Sequence, residues 1–175
     1  MRLNILALKQ RDLINQMPIA TNSSRLNISK EKDTKKTAEI FSKNIQKGDV
    51  VFFNGEVGVG KTTFIKYLIN HLQKKNGEEL TEIPSPTFSI LNEYKLNEIE
   101  IVHLDLYRLK NKEELENLSI FEDKSNKILL IEWPELIKEK PDTVIDLYFK
   151  YDEDLNSRFL IIPSEYQYKF EDEIK

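Results

Sequence analysis

The sequence predicts an α/β fold in three layers, with helices on both faces of a mixed central sheet, and three observations predict it. First, Val50-Val51-Phe52-Phe53 is a continuous apolar run of the kind a parallel strand needs when both of its faces are covered. Second, the glycine-rich stretch Gly55-Glu56-Val57-Gly58-Val59-Gly60-Lys61-Thr62 follows at once and opens a segment of helical periodicity, the strand-loop-helix order of a phosphate-binding loop. Third, a later apolar run, Ile128-Leu129-Leu130-Ile131, ends in Glu132. Together they place the chain among folds of the P-loop NTPase type.

The elements follow in order. A short strand is expected at Arg25 to Ile28, then a helix from about Ser29 to Ile45 that puts Thr37, Ile40, Phe41, Asn44 and Ile45 on one face, with Ser29 or Asp33 available as its cap. Lys47-Gly48-Asp49 stops that helix and leads into the first buried strand. From Lys61 to about Lys75, Phe64, Ile65, Leu68, Ile69 and Leu72 recur at helical spacing, and Asn76-Gly77 is a natural stop. Ser89 to Lys95 and Ile99 to Leu104 read as an antiparallel hairpin linked near Asn97-Glu98. A short helix at Glu113 to Leu118 precedes the strand Lys127 to Glu132. Thr143 to Lys150 and Arg158 to Ile162 alternate as a final strand pair around Asp152-Glu153-Asp154. Residues 25–163 therefore form one domain. Residues 1–24 are expected to be an N-terminal extension, disordered or not native, with Met17 as a second possible start, and 164–175 an acidic, aromatic surface tail.

Composition narrows the function classes. With 26 basic and 30 acidic residues the net charge is −4, so no overall basic field exists to hold a nucleic-acid backbone. The absence of cysteine removes disulfides, thiolate metal sites and cysteine catalysis. No signal peptide and no apolar stretch of membrane-spanning length is present, which points to a cytoplasmic protein without membrane contact.

The loop carries the chemistry. Its glycines let several backbone N–H groups face one centre, and the following helix adds the partial positive charge of its N-terminus, so phosphate oxygens fit there. Lys61 reaches terminal phosphates as a point charge and the Thr62 hydroxyl suits magnesium. A hydrolytic site also needs an acid at the end of a neighbouring strand. Asp105 and Glu132 compete for that place; the more apolar strand favours Glu132 beside the loop, leaving Asp105 to orient water or act as base. His103 alternates onto the face of Asp105 and either orients a carboxylate or is structural. Trp133, the single tryptophan, packs near a ligand or in the core, and Arg108 either steadies a phosphate or forms a surface ion pair. Ser85 and Thr87 flank a rigidifying Pro86 where a segment can sense a terminal phosphate, or simply turn into a strand.

Taken in order, Gly55 to Phe64, Ser85-Pro86-Thr87-Phe88, His103-Leu104-Asp105-Leu106-Tyr107-Arg108-Leu109 and Glu132-Trp133-Pro134-Glu135 resemble the bacterial TsaE (YjeE) family, over about Ser29 to Ile162. The resemblance implies an ATPase required for threonylcarbamoyladenosine next to the tRNA anticodon, binding the TsaB and TsaD pair and meeting tRNA only indirectly. It implies ATP and magnesium as ligands. The loop positions Gly58, Val59 and Gly60 would line the phosphates, with Lys61 and Thr63 in contact with them. Thr62 and Glu132 would bind the metal, Asp105 would support hydrolysis and Thr87 would act as a switch residue. Thr34 would lie near base or ribose, and Arg158 would approach from the last strand. Val57 and Val59 stand where leucine and alanine are commoner, without removing a glycine or a ligand. The rival classes are a P-loop small-molecule kinase, disfavoured because Arg108 is the only arginine between Lys61 and Arg158, and a nucleotide-dependent adaptor without turnover. No guanine-reading Asn-Lys-x-Asp run is present, so ATP remains the expected nucleotide.

Overall fold

Val50 to Phe53 are buried to the last atom, because the strand they form has neighbours on both edges and apolar layers on both faces. A computed structural model describes residues 23–171. The elements in chain order are β1 (Ser24–Asn27), α1 (Glu31–Asn44), β2 (Val50–Gly55), α2 (Lys61–Lys75), β3 (Leu91–Leu96), β4 (Ile99–Asp105), α3 (Lys112–Glu116), β5 (Lys127–Glu132), β6 (Val144–Tyr151) and β7 (Arg158–Ile162). The seven strands lie in the order β1-β7-β6-β2-β5-β4-β3. β6, β2, β5 and β4 run parallel, and β3, β7 and β1 are antiparallel to their neighbours. The sheet is mixed, as the sequence predicts.

Its two faces are covered unequally. Val51, Phe53, Ile128, Leu130, Ile145 and Leu147 point to one side, where α1 and α2 bury Phe41, Phe64, Ile65 and Leu68 against them. Val50, Phe52, Leu104, Leu129 and Ile131 point to the other, where Leu115 of α3 and residues of short turns, among them Leu106, Trp133 and Ile137, form a thinner third layer. The parallel register places Phe53 beside Glu132 and Glu132 beside Asp105. The ends of β2, β5 and β4 thus meet at one edge of the sheet.

The structure departs from sequence expectation in four places. The helix α1 begins after Lys30 with no side-chain cap; Ser29 instead exchanges hydrogen bonds with the Arg158 backbone, so its hydroxyl ties β7 to the helix start. Asn44, expected on the buried face, is exposed and donates to the Lys169 carbonyl at 3.1 Å. The hairpin begins at Leu91, because Ile90 adopts a positive φ of 69° that no strand accommodates. The segment after Pro163 is not a surface tail through its first residues. Ser164–Phe170 forms a 3-10 helix against α1, with Phe170 fully buried and stacked on Phe41 at 4.8 Å. Lys169 is buried there too, bonded to Asp49 at 2.8 Å and to the Asn44 carbonyl at 2.7 Å. The expected N-terminal extension lies outside the described residues apart from Ser23 and Ser24, the latter opening β1.

Candidate functional site

The bend after β2 is possible only with glycine. At Gly55 φ is 146°, and a Cβ there would stand 2.4 Å from the Phe149 carbonyl oxygen of β6. Gly58 and Gly60 also have positive φ, 76° and 111°, and Gly60 caps α2 without any side chain. No side chain caps the first N–H groups of α2, which leaves them available to a ligand. Val59 is wholly buried in the core, so it offers the cleft only its backbone.

Lys61 folds back into this loop. Its Nζ donates to the carbonyls of Gly55 at 2.7 Å and Glu56 at 3.0 Å, and it lies 3.9 Å from the centre of the Trp133 ring. Only 4% exposed, its ammonium is pushed down to about 8 by burial, against the opposing pull of Glu132, Glu135, Asp105 and Glu56. Trp133 holds its position at φ 61°, a strained conformation for an aromatic residue, and packs at 4.7 Å against the Tyr107 ring, tilted by 52°. Trp133 is core and cleft wall at once.

The acids line up on the strand ends. Thr62 Oγ1 lies 2.9 Å from both oxygens of Glu132, which is 2% exposed, and His103 Nε2 lies 2.9 Å from Glu132 Oε1. Asp105 receives the Thr87 hydroxyl at 2.6 Å and the Tyr107 N–H at 3.1 Å, while Ser85 and Thr87 hydroxyls meet at 2.8 Å. A cleft of about 310 Å³ opens between these groups, lined by Gly58, Gly60, Lys61, Thr62, Thr63, Thr87, Asp105 and Glu132 with the Tyr107 and Trp133 rings. Among the described residues there is no cluster of three or more His, Asp and Glu side chains able to hold a metal by themselves. Thr62 and Glu132 supply one hydroxyl and one carboxylate, a donor set that suits a magnesium ion sharing its remaining positions between phosphate oxygens and water.

A protein-family model described as "Threonylcarbamoyl adenosine biosynthesis protein TsaE" matches residues 28–159. The chain belongs to the TsaE family. Relatives named tRNA threonylcarbamoyladenosine biosynthesis protein TsaE include that of Rickettsia bellii, 37% identical over 82% of this chain and 97% of its own. The protein of that name from Rickettsia typhi is 41% identical over 63% of this chain and 74% of its own, and that of a Nostoc species 32% over 86% and 91%. The crystal structure of Bacillus subtilis YdiB, 24% identical, has the same fold, with a TM-score of 0.62 over 86% of this chain and 93% of that one.

In this TsaE chain most of the site residues read from the sequence converge on the cleft. Thr34 does not line it. Its side chain is 3% exposed and its hydroxyl donates to the Ile28 carbonyl at 3.0 Å, so it closes the turn between β1 and α1. Arg158 sits with a guanidinium nitrogen near Gly60 and donates to the Ser29 carbonyl. Arg108 forms no ion pair among the described residues; its guanidinium lies 4.5 Å over the ring of Phe88, which is 82% exposed. His103 lies where its carboxylate-orienting reading requires, 2.9 Å from Glu132, whereas sequence reasoning gave no role to Tyr107 or Tyr151. Tyr151, whose hydroxyl would lie 3.3 Å from a Cβ at Gly58, could have been found from its alternation with Phe149, which packs under the loop strand. Among the described residues no helix is long and apolar enough to cross a membrane.

Proposed function

We propose that this chain binds ATP with magnesium in the cleft and hydrolyses it, and that turnover serves threonylcarbamoyladenosine formation on tRNA through the TsaB and TsaD pair. The observation that supports it best is the pairing of Thr62 with Glu132 at the lip of the loop, with Asp105 and Thr87 opposite. In this reading the loop N–H groups and Lys61 hold the phosphates, Lys61 exchanging its bonds to Gly55 and Glu56 for phosphate oxygens. Thr62 and Glu132 hold the magnesium, which neutralises charge on the phosphates. Asp105 accepts a hydrogen bond from the attacking water, whose oxygen bonds to the terminal phosphorus as the bond to the bridging oxygen breaks. The leaving diphosphate carries off that electron pair, and the water proton ends on the released phosphate.

Thr87 suits a sensor, because its hydroxyl is shared with Asp105 and lies on a segment whose far end, Ile90, is held by its N–H to the Pro86 carbonyl and its carbonyl to the Asp105 N–H. Arg108, the only arginine between Lys61 and Arg158, is not among the residues that line the cleft, which favours hydrolysis over a kinase whose arginines clamp the phosphates and exclude water. Phosphate release from ATP, measured alone and with purified TsaB and TsaD, tests the proposal with Lys61→Ala as control. Release stimulated by the pair and lost on Lys61→Ala is expected. No release in any mixture overturns hydrolysis, and phosphate found on a metabolite replaces it by kinase chemistry.

A further inference from the structure

His103 is the only fully inaccessible titratable side chain at the site that the proposed chemistry leaves without a task. Its place follows from the register: His103 lies opposite Leu130 and Asp105 opposite Glu132, so all of these side chains face α2. From there Nε2 reaches Glu132 Oε1 at 2.9 Å, while Nδ1 is buried with no hydrogen-bond partner. An ionised carboxylate can only accept, so Nε2 must carry the proton. Nδ1 is then a buried acceptor without a partner, and leaving it unpaired has a cost. A leucine at 103 would fill the same core without that cost, so core packing alone gives no reason for an imidazole here.

We infer that His103 is a positioning residue: an imidazole whose Nε2–H fixes the Glu132 carboxylate toward Thr62. The inference rests on the magnesium role proposed for Thr62 and Glu132. The carboxylate has two donors in the structure, Thr62 from α2 and His103 from β4, and they come from different layers. A metal meeting Thr62 would take a lone pair of its hydroxyl and turn its O–H, and His103 is the hold on Glu132 that comes from the sheet and does not itself meet the metal. Hydrogen bonds of this kind set the orientation and basicity of metal-binding carboxylates and typically change affinity by about 10- to 100-fold when removed.

Two measurements test it. Long-range proton–nitrogen NMR of the full chain, without nucleotide or magnesium, reads the tautomers of its two histidines directly, and His71→Gln assigns the signals. The expected His103 signature is a protonated Nε2; a bare Nε2 overturns the inference. The second is the magnesium dependence of ATP binding, followed by Trp133 fluorescence. His103→Gln restores an N–H donor at about the same reach, and His103→Leu fills the space without one. His103→Gln should stay within about 3-fold of wild type in apparent magnesium affinity, and His103→Leu should lose about 10- to 100-fold while magnesium-free nucleotide affinity is unchanged. Equal affinities for the two variants reduce His103 to core packing and overturn the inference. If wild type binds no nucleotide the proposed function fails, yet the tautomer still decides the bond between His103 and Glu132. Should His103→Leu fail to fold, the tautomer and His103→Gln carry the decision, since a large loss of magnesium affinity in His103→Gln is also contrary.

Discussion

At Lys61 burial and charge act against each other, and the balance makes a measurable pH effect. The ammonium is held by two carbonyls and an indole face in a nearly closed site, and burial lowers it from 10.5 to about 8. The unfolded chain keeps this proton up to about 10.5, so between those values the unfolded state binds more protons and stability must rise with pH. Below about 8 the cost of burying the charge is fully present; above it the cost is relieved as the folded form deprotonates. Urea midpoints of wild type and Lys61→Met between about pH 7 and about pH 10 should therefore diverge in favour of wild type, with a ceiling of about 3 kcal/mol at about 1.4 kcal/mol per pKa unit. A difference that stays constant across that range would show that Lys61 keeps its ordinary affinity for the proton. The sequence named Lys61, Thr62, Asp105 and Glu132 because each residue type has one chemistry at that place in the loop or strand end. It left His103, Trp133 and Arg108 open, because their partners come from other strands and turns and depend on register.

Among the elements, those with strong periodicity were legible almost to the residue. α2 begins and ends where its apolar spacing and the Asn76-Gly77 stop put it, and β5 is the run read from the sequence. The cap of α1 was misread because Ser29 is spent on β7, a contact 129 residues away that local preference cannot contain. The segment Ser164–Phe170 was misread for another reason. Its acidic and aromatic composition suggested solvent, while Phe170 docks it by stacking nearly parallel on Phe41, with 11° between the rings, beside the buried Lys169. Phe170→Ala removes a fully buried ring from the contact between α1 and this segment. It should cost about 3 to 5 kcal/mol in urea unfolding. Tyr168→Ala, on an exposed neighbour, should cost under about 0.5 kcal/mol. Equal small effects would mean that the segment contributes nothing to the fold.

At the scale of the molecule, the order of the sheet explains why one cleft collects the chemistry. Four parallel strands, β6, β2, β5 and β4, end at one edge, and the loop, Glu132 and Asp105 leave from neighbouring members of that set. Ligands of open α/β sheets bind at that edge because the carboxyl ends of the strands and the N-terminus of the following helix converge there. The fold class was legible for the same reason, since two apolar runs followed by a loop and an acid have few other arrangements. If ATP occupies this cleft with magnesium, binding must stabilise the whole chain by about 2.7 kcal/mol at ligand a hundredfold above Kd. For a chain of this size that corresponds to a rise in Tm of about 5 to 10 °C. Lys61→Ala should abolish the rise, and Asp105→Asn should separate it from turnover. Thr87 and Tyr107 donate to different oxygens of Asp105; with its one oxygen toward the Tyr107 N–H, asparagine offers its amide N–H to the Thr87 hydroxyl oxygen, so the shift should persist while phosphate release falls about 100-fold. A shift lost in Asp105→Asn as well would move Asp105 from hydrolysis to binding, and a shift independent of magnesium would remove Thr62 and Glu132 from the metal.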